Sequence, residues 1–235
     1  MATESTPRCL IVNADDLGLS PAVNEGIFVA HERGIVTSAT LMVRQAAAPM
    51  AAAALPARPG LGVGLHLDLG QWDYAAGEWM QAYSRCDTES ADAVEAECRA
   101  QLDLFRRLLG RDPTHLDSHQ HVHLSEPTAT VVAGIADELG VPLRGREVRY
   151  EGGFYGQSGR GEKYPEGIEA ASLIALIGSL PAGWSEVGCH PAAGPVPESS
   201  YDSERVVELR TLCDPQVRRA LAGAGVVLRS FEDFG

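Results

Sequence analysis

Short β-rich runs alternate with helical stretches from one end of this chain to the other, and that alternation restricts its possible folds more than any other feature. Strands are expected at Cys9–Asn13, Ile35–Val43, Gly62–Leu67, Thr114–His119, Pro142–Arg146, Glu186–Cys189 and Gly225–Ser230. The helical stretches between them are Pro21–Glu32, Ala46–Leu55, Ala91–Leu109, Pro127–Leu139, Glu166–Ile177 and the span from Ser203 to Leu221. Ser20 and Pro21 suit the start of the first helix, one as a cap and the other at the first helical position, and Gly34 ends it. Strands separated by helices pair in parallel. The near-continuous apolar runs Leu10-Ile11-Val12 and Val226-Val227-Leu228 suit strands buried on both faces. A longer loop is expected after the third strand and a Gly-rich insertion after the fifth.

That strand count fits a closed or nearly closed (β/α) barrel and an open doubly wound sheet. The polar residues favour the barrel. Asp15 and Asp16 follow the first strand, His66 ends the third, His119 ends the fourth and His190 ends the sixth. Groups from four strand ends converge when the strands circle a common axis, as in TIM-like barrels. The expected fold class is therefore α/β, a TIM-like (β/α) barrel of seven strands, with residues 1–235 forming a single domain.

Three of the seven histidines occupy alternate positions in Asp117-Ser118-His119-Gln120-His121-Val122-His123. On an extended strand, alternate residues share a face, so this stretch is expected to gather imidazoles on one side. Same-face neighbours lie roughly 7 Å apart and metal–nitrogen bonds are about 2 Å long, so two of the three could share an ion and the third must support the site or touch substrate. Asn13-Ala14-Asp15-Asp16-Leu17-Gly18 places two carboxylates side by side where the first strand stops. One can bind a cation while the other takes a proton from water polarised by it. With His66 and the later histidines this is an Asp/His/His set, suited to Zn²⁺ and compatible with Mg²⁺ or other first-row ions. Any of these residues taken singly also fits a turn, a cap or a packed core.

Composition excludes some partners. Nineteen Lys and Arg against 32 Asp and Glu give a net charge of −13, which argues against nucleic acid. Met1–Arg8 lacks a signal-peptide pattern and no apolar run reaches membrane-spanning length, so the expectation is a cytoplasmic protein with no membrane partner. The five cysteines show no paired spacing; Cys189 adjoins His190 but is read as a packed thiol.

The stretches Ile11–Gly18, Gly34–Thr40, Gly64–Leu67, His115–His123 and Gly188–Pro191, with Arg205–Pro215 behind them, together resemble the YdjC-like carbohydrate deacetylases. Leu17 departs from the family, which often has Phe there. The resemblance implies a (β/α) barrel binding one divalent ion, Zn²⁺ or Mg²⁺, through Asp16, His66 and His119. It further implies Asp15 as general base, His190 as general acid and an N-acetylated saccharide as substrate; a homodimer is an expectation for such a barrel. His121 and His123 would orient the site or touch substrate, and Asp117 would hold a ligand imidazole. Phe154 and Tyr155 in the Gly-rich stretch Gly152–Gly161, and Trp72, Tyr74 and Trp79 in the loop after His66, are candidates to stack on a sugar. The competing readings are an amidohydrolase acting on a small non-sugar amide and a catalytically silent sugar-binding protein. Retention of both Asp15 and His190 disfavours the second.

Overall fold

The computed structural model describes residues 6–75, 77–197 and 199–234. Its central strand is β1 (Arg8–Leu17), buried from Cys9 onward as its apolar run demands. β1 pairs on one side with β2 (Ser38–Leu41) and on the other with β8 (Gly183–Cys189), while its first residues also pair with β9 (Val226–Leu228). β3 (Gly62–Leu67) and β6 (Leu116–Ser118) extend the sheet beyond β2, and β7 (Arg149–Glu151) extends it beyond β8. Every pairing in this seven-stranded sheet is parallel, in the order β6-β3-β2-β1-β8-β7 with β9 against β1.

Helices α1 (Pro21–Arg33), α2 (Ala48–Ala54), α3 (Ala91–Leu109), α4 (Thr128–Leu139), α5 (Ala170–Ser179), α6 (Ser203–Leu212) and α7 (Pro215–Gly223) follow in chain order. The Ser20 hydroxyl accepts from the Val23 N–H at 3.2 Å, the expected cap of α1, and Gly110 ends α3 in the left-handed region. None of these helices is long and apolar enough to cross a membrane, among the described residues.

The expected parallel α/β architecture is present as a curled half-barrel. Between β6 and β7 the described residues form only the single bridges Leu116–Leu143 and Arg144–Val148. The strand expected at 142–146 is reduced to those bridges, because the Leu143 N–H is taken by the Glu147 carboxylate and the chain turns at Leu143–Arg146. The loop expected after His66 is instead an antiparallel hairpin, β4 (Gly70–Ala75) with β5 (Glu78–Ser84), outside the main sheet. Most of β5 is exposed on both faces, so the apolar–polar alternation that marks a half-buried strand is missing from its sequence.

Register carries the chemistry to one end. His66 pairs with Asp117, and Ala14 pairs with Cys189, so the C-terminal ends of β3 and β6, and of β1 and β8, lie at the same end of the sheet with β2 between the two pairs.

Candidate active site

Two adjacent strand residues normally point to opposite faces. Asp15 and Asp16 nevertheless both face one cleft, because the β1–β2 register shifts between Ala14 and Leu17 and Asp16 takes φ 66°. A non-glycine residue in that region costs about 1–3 kcal/mol and persists where surrounding contacts enforce it. Here Arg205 supplies the contact, its Nη2 donating to Asp16 Oδ2 at 2.7 Å.

The other Asp16 oxygen, Oδ1, is buried and has no hydrogen-bond partner. It lies 3.4 Å from His66 Nε2 and 3.2 Å from His119 Nδ1. Asp117 Oδ1 binds His66 Nδ1 at 2.7 Å and so turns Nε2 towards Asp16. One orphaned carboxylate oxygen between two imidazole nitrogens fits a first-row divalent cation. A second grouping, Asp15, His66 and Asp117, is as compact, but its oxygens are already held by Arg144 and by His66.

The electrostatics agree with that fit. Burial favours the neutral form of Asp16, yet Arg205 and His119 outweigh it and hold the carboxyl well below its ordinary value. Burial also opposes a charge on His66, but Asp117, Asp15 and Asp16 overcome it and raise the imidazole to about 9. A field that retains a proton there is one that attracts a cation.

Asp15 is gripped by Arg144, whose Nη1 and Nη2 donate to its two oxygens at 2.6 and 2.7 Å. The same buried guanidinium reaches Asp117 at 3.0 Å and Glu186 at 2.7 Å. Burial raises the proton affinity of Asp15, and Arg144 more than reverses this, so its carboxyl stays ionised below the usual range. Burial dominates at Glu186 and lifts it to about 7.

His190 Nε2 lies 3.8 Å from Asp15 Oδ2, and its Nδ1 lies 3.8 Å from Glu208 Oε1. Burial opposes the imidazolium, but the Glu208 carboxylate and then the two aspartates raise the pKa of His190. Glu208 also accepts the His190 backbone N–H and the Tyr201 hydroxyl. Cys189 is fully buried, and burial pushes its thiol well up, consistent with packing.

The structure thus brings Asp15, Asp16, His66, His119 and His190 to one cleft of about 990 Å³. His121, Phe154 and Tyr155 also line it, as do Trp72, Tyr74 and Trp79 of the hairpin. Phe154 is largely in the core, whereas Tyr155 is 37% exposed and stacks on Tyr201 at 4.6 Å. The alternate-face arrangement expected for 117–123 does not form. β6 ends at Ser118, whose hydroxyl accepts the His123 N–H at 3.0 Å and pairs with its ring nitrogen at 2.6 Å, folding the chain into a tight turn. His119 consequently reaches Asp16, His121 turns towards Tyr150, and His123 is buried behind Ser118, outside the residues that line the cleft.

Sequence reasoning gives no role to Arg144, Glu186 or Tyr201, and it includes Arg205 and Glu208 only within the family-like stretch Arg205–Pro215, without a function. One signal was available. Glu204, Arg205 and Glu208 occupy buried positions of α6, at the spacing where a core-facing helix would carry apolar residues.

The sequence model of the YdjC-like protein family matches residues 9–223. The chain is 34% identical to a chitooligosaccharide deacetylase of Serratia marcescens, across 96% of this chain and 99% of that one. It is 36% identical to a carbohydrate deacetylase of Geobacillus stearothermophilus, across 97% and 98%. Among solved structures, a candidate cellobiose-phosphate cleavage protein of Enterococcus faecalis V583 is similar at TM-score 0.80 and 25% identity, covering 98% of this chain and 100% of that one. A family 4 carbohydrate esterase of Streptomyces lividans, solved with acetate, shares the fold at TM-score 0.55 and 11% identity, over 97% and 93%.

Proposed function

The chain belongs to the YdjC-like protein family, and we propose that it is a metal-dependent deacetylase of N-acetylated saccharides. The relatives named as chitooligosaccharide and carbohydrate deacetylases span nearly its whole length, which supports deacetylation of a saccharide and its assignment to the chain as one catalytic domain. The observation that carries the mechanism is the division of labour between the adjacent aspartates. Asp16 keeps one oxygen free beside two imidazoles, and Asp15 is held next to His190.

A divalent cation held by Asp16, His66 and His119 would polarise the acetamido carbonyl and acidify water, which a carboxylate as weakly basic as Asp15 requires. Arg144 keeps Asp15 ionised and fixed in direction, so that Oδ2 can take a proton from the attacking water. His190, held as imidazolium by Glu208, gives its Nε2 proton to the departing amine, a poor leaving group until protonated. Acetate and an amino sugar leave. His121 and Tyr155 at the cleft wall would contact the sugar, and Phe154 would support Tyr155 from the core. A cleft this large with seven aromatic side chains favours a saccharide over a small amide. The curl of the sheet and the bridges at Leu143 and Arg144 support reading it as a distorted seven-unit barrel with the site at its mouth.

The test is acetate release from N-acetylated mono- and oligosaccharides by metal-stripped protein resupplied with single divalent ions. Metal-dependent release that disappears in Asp15→Asn is expected. Absence of release from every saccharide, with metal bound, would refute the assignment.

A further inference from the structure

Gln120 takes no part in the chemistry proposed above, yet its backbone is held at φ 52° and ψ 24°, a region that side-chain-bearing residues rarely adopt. It follows His119 directly. Its side-chain Oε1 accepts the Trp72 N–H at 2.9 Å, and its Nε2 donates to the Trp72 carbonyl at 2.6 Å. One amide therefore satisfies both backbone groups of a hairpin residue, as a neighbouring strand would. The clamp lies at Trp72, next to the register shift between Gln71 and Trp72 in the β4–β5 ladder.

Among the described residues, the other polar ties between the hairpin and the rest of the protein are few. Ser200 Oγ donates to Asp73 at 3.2 Å, and at the base Tyr83 and Arg85 bond to Asp68. The hairpin carries Trp72 and Trp79, 45% and 53% exposed, at the wall of the cleft that holds His119. Stacking on a sugar face tolerates little displacement of the ring. The side chain that sets the hairpin's position therefore also sets whether those indoles can be used by a substrate whose acetyl group lies at His119.

We propose that Gln120 is a positioning residue that fixes the β4–β5 hairpin relative to His119 and thereby sets the preference for longer N-acetylated saccharides over a single acetylated sugar. The inference rests on the deacetylase reading for its consequence in substrate choice, but the clamp itself does not.

The test uses the metal-loaded full chain as wild type, Gln120→Ala and Gln120→Glu. Hydrogen exchange at the Trp72 amide reads the clamp without turnover, and is expected to accelerate about tenfold in Gln120→Ala with β3 amides unchanged. On N-acetylglucosamine and its linear tetramer, KM for the tetramer is expected to rise about tenfold while kcat changes by no more than about threefold and the single-sugar KM stays near wild type. Gln120→Glu keeps an acceptor for the Trp72 N–H but sets a carboxylate against the carbonyl, so its effect should be intermediate. Unchanged Trp72 exchange together with an unchanged tetramer KM would overturn the proposal. Equal losses of kcat on both sugars with weakened metal binding would also overturn it, by showing that Gln120 serves His119 alone. If wild type released acetate from no saccharide, the deacetylase reading would fail separately, and Trp72 exchange with calorimetric titration of the tetramer would still decide the clamp.

Discussion

Arg205 Nη2 donates to Asp16 Oδ2 at 2.7 Å, and this bond leaves Oδ1 as the oxygen that faces His66 and His119. A helix residue far along the chain thus selects which lone pairs of a strand residue are available to a cation. Glu208, three positions later on α6, does the equivalent for His190. One helix face therefore orients both Asp16, the proposed cation ligand, and His190, the proposed proton donor.

Both side chains of the Arg205–Asp16 pair are buried. Arg205→Met should cost about 3–5 kcal/mol of stability, because it leaves a buried carboxylate unpaired. Divalent-ion affinity should fall about 10–100-fold as Asp16 loses its orientation. Urea unfolding and metal titration of the same preparation check the two effects, and an unchanged affinity would refute the orienting role.

The pH profile of acetate release should be bell-shaped. With the cation kept saturating, so that protons do not displace it from His66, the acidic limb belongs to Asp15, whose pKa lies below its ordinary 3.8, and activity should persist into mildly acidic solution. The basic limb belongs to His190; burial pulls it below 6.5, and Glu208 chiefly lifts it above. Glu208→Gln should move the basic limb to lower pH and leave the acidic limb in place, as kcat/KM measured across pH would record.

In metal-free protein, His66 titrates at about 9 when folded against 6.5 for an ordinary imidazole, because its three carboxylate neighbours outweigh burial. The stability it contributes is fully present below pH 6.5 and is lost as pH rises through about 9. Thermal unfolding of chelator-treated protein should fall across that window by an amount on the order of a few kcal/mol. A bound cation requires neutral imidazole, so saturating Zn²⁺ should flatten the dependence and raise the Tm in proportion to its logarithmic excess.

The two imidazoles facing Asp16 differ in what else they hold. The His119 side chain is 16% exposed, whereas that of His66 is 2% exposed and bonds Asp117. Both His119→Ala and His66→Ala should abolish metal binding. Only His66→Ala should lose stability as well, by about 3 kcal/mol, because a buried carboxylate loses a partner. Calorimetry on each apo variant separates the two effects.

Much of the architecture is legible in local pattern. The helix expected at Ala91–Leu109 forms with those bounds, and the structure shows Ser90 capping its start and Gly110 ending it. Gly62–Leu67 likewise matched its strand, because an apolar run buried on both faces has no competing period. The hairpin β4–β5 was not legible, since exposure on both faces erases alternation. The stretch 117–123 misled for a related reason: spacing alone assumes an extended chain, and the Ser118 hydroxyl ends the extension by bonding to His123.

The sequence by itself determined the parallel α/β class and the residue types of the site, since burial periodicity and donor chemistry are properties of short segments. Which oxygen of Asp16 is free, which of three clustered histidines reaches it, and which arginine holds each aspartate were decided only by the tertiary structure. Those relations join residues more than a hundred positions apart, such as Arg144 with Asp15 and Arg205 with Asp16, and they depend on strand register, on the bulge after Ala14 and on the buried face of α6. No local pattern encodes a distance between elements; that distance is set when the whole sheet curls and its interior must pair every buried charge.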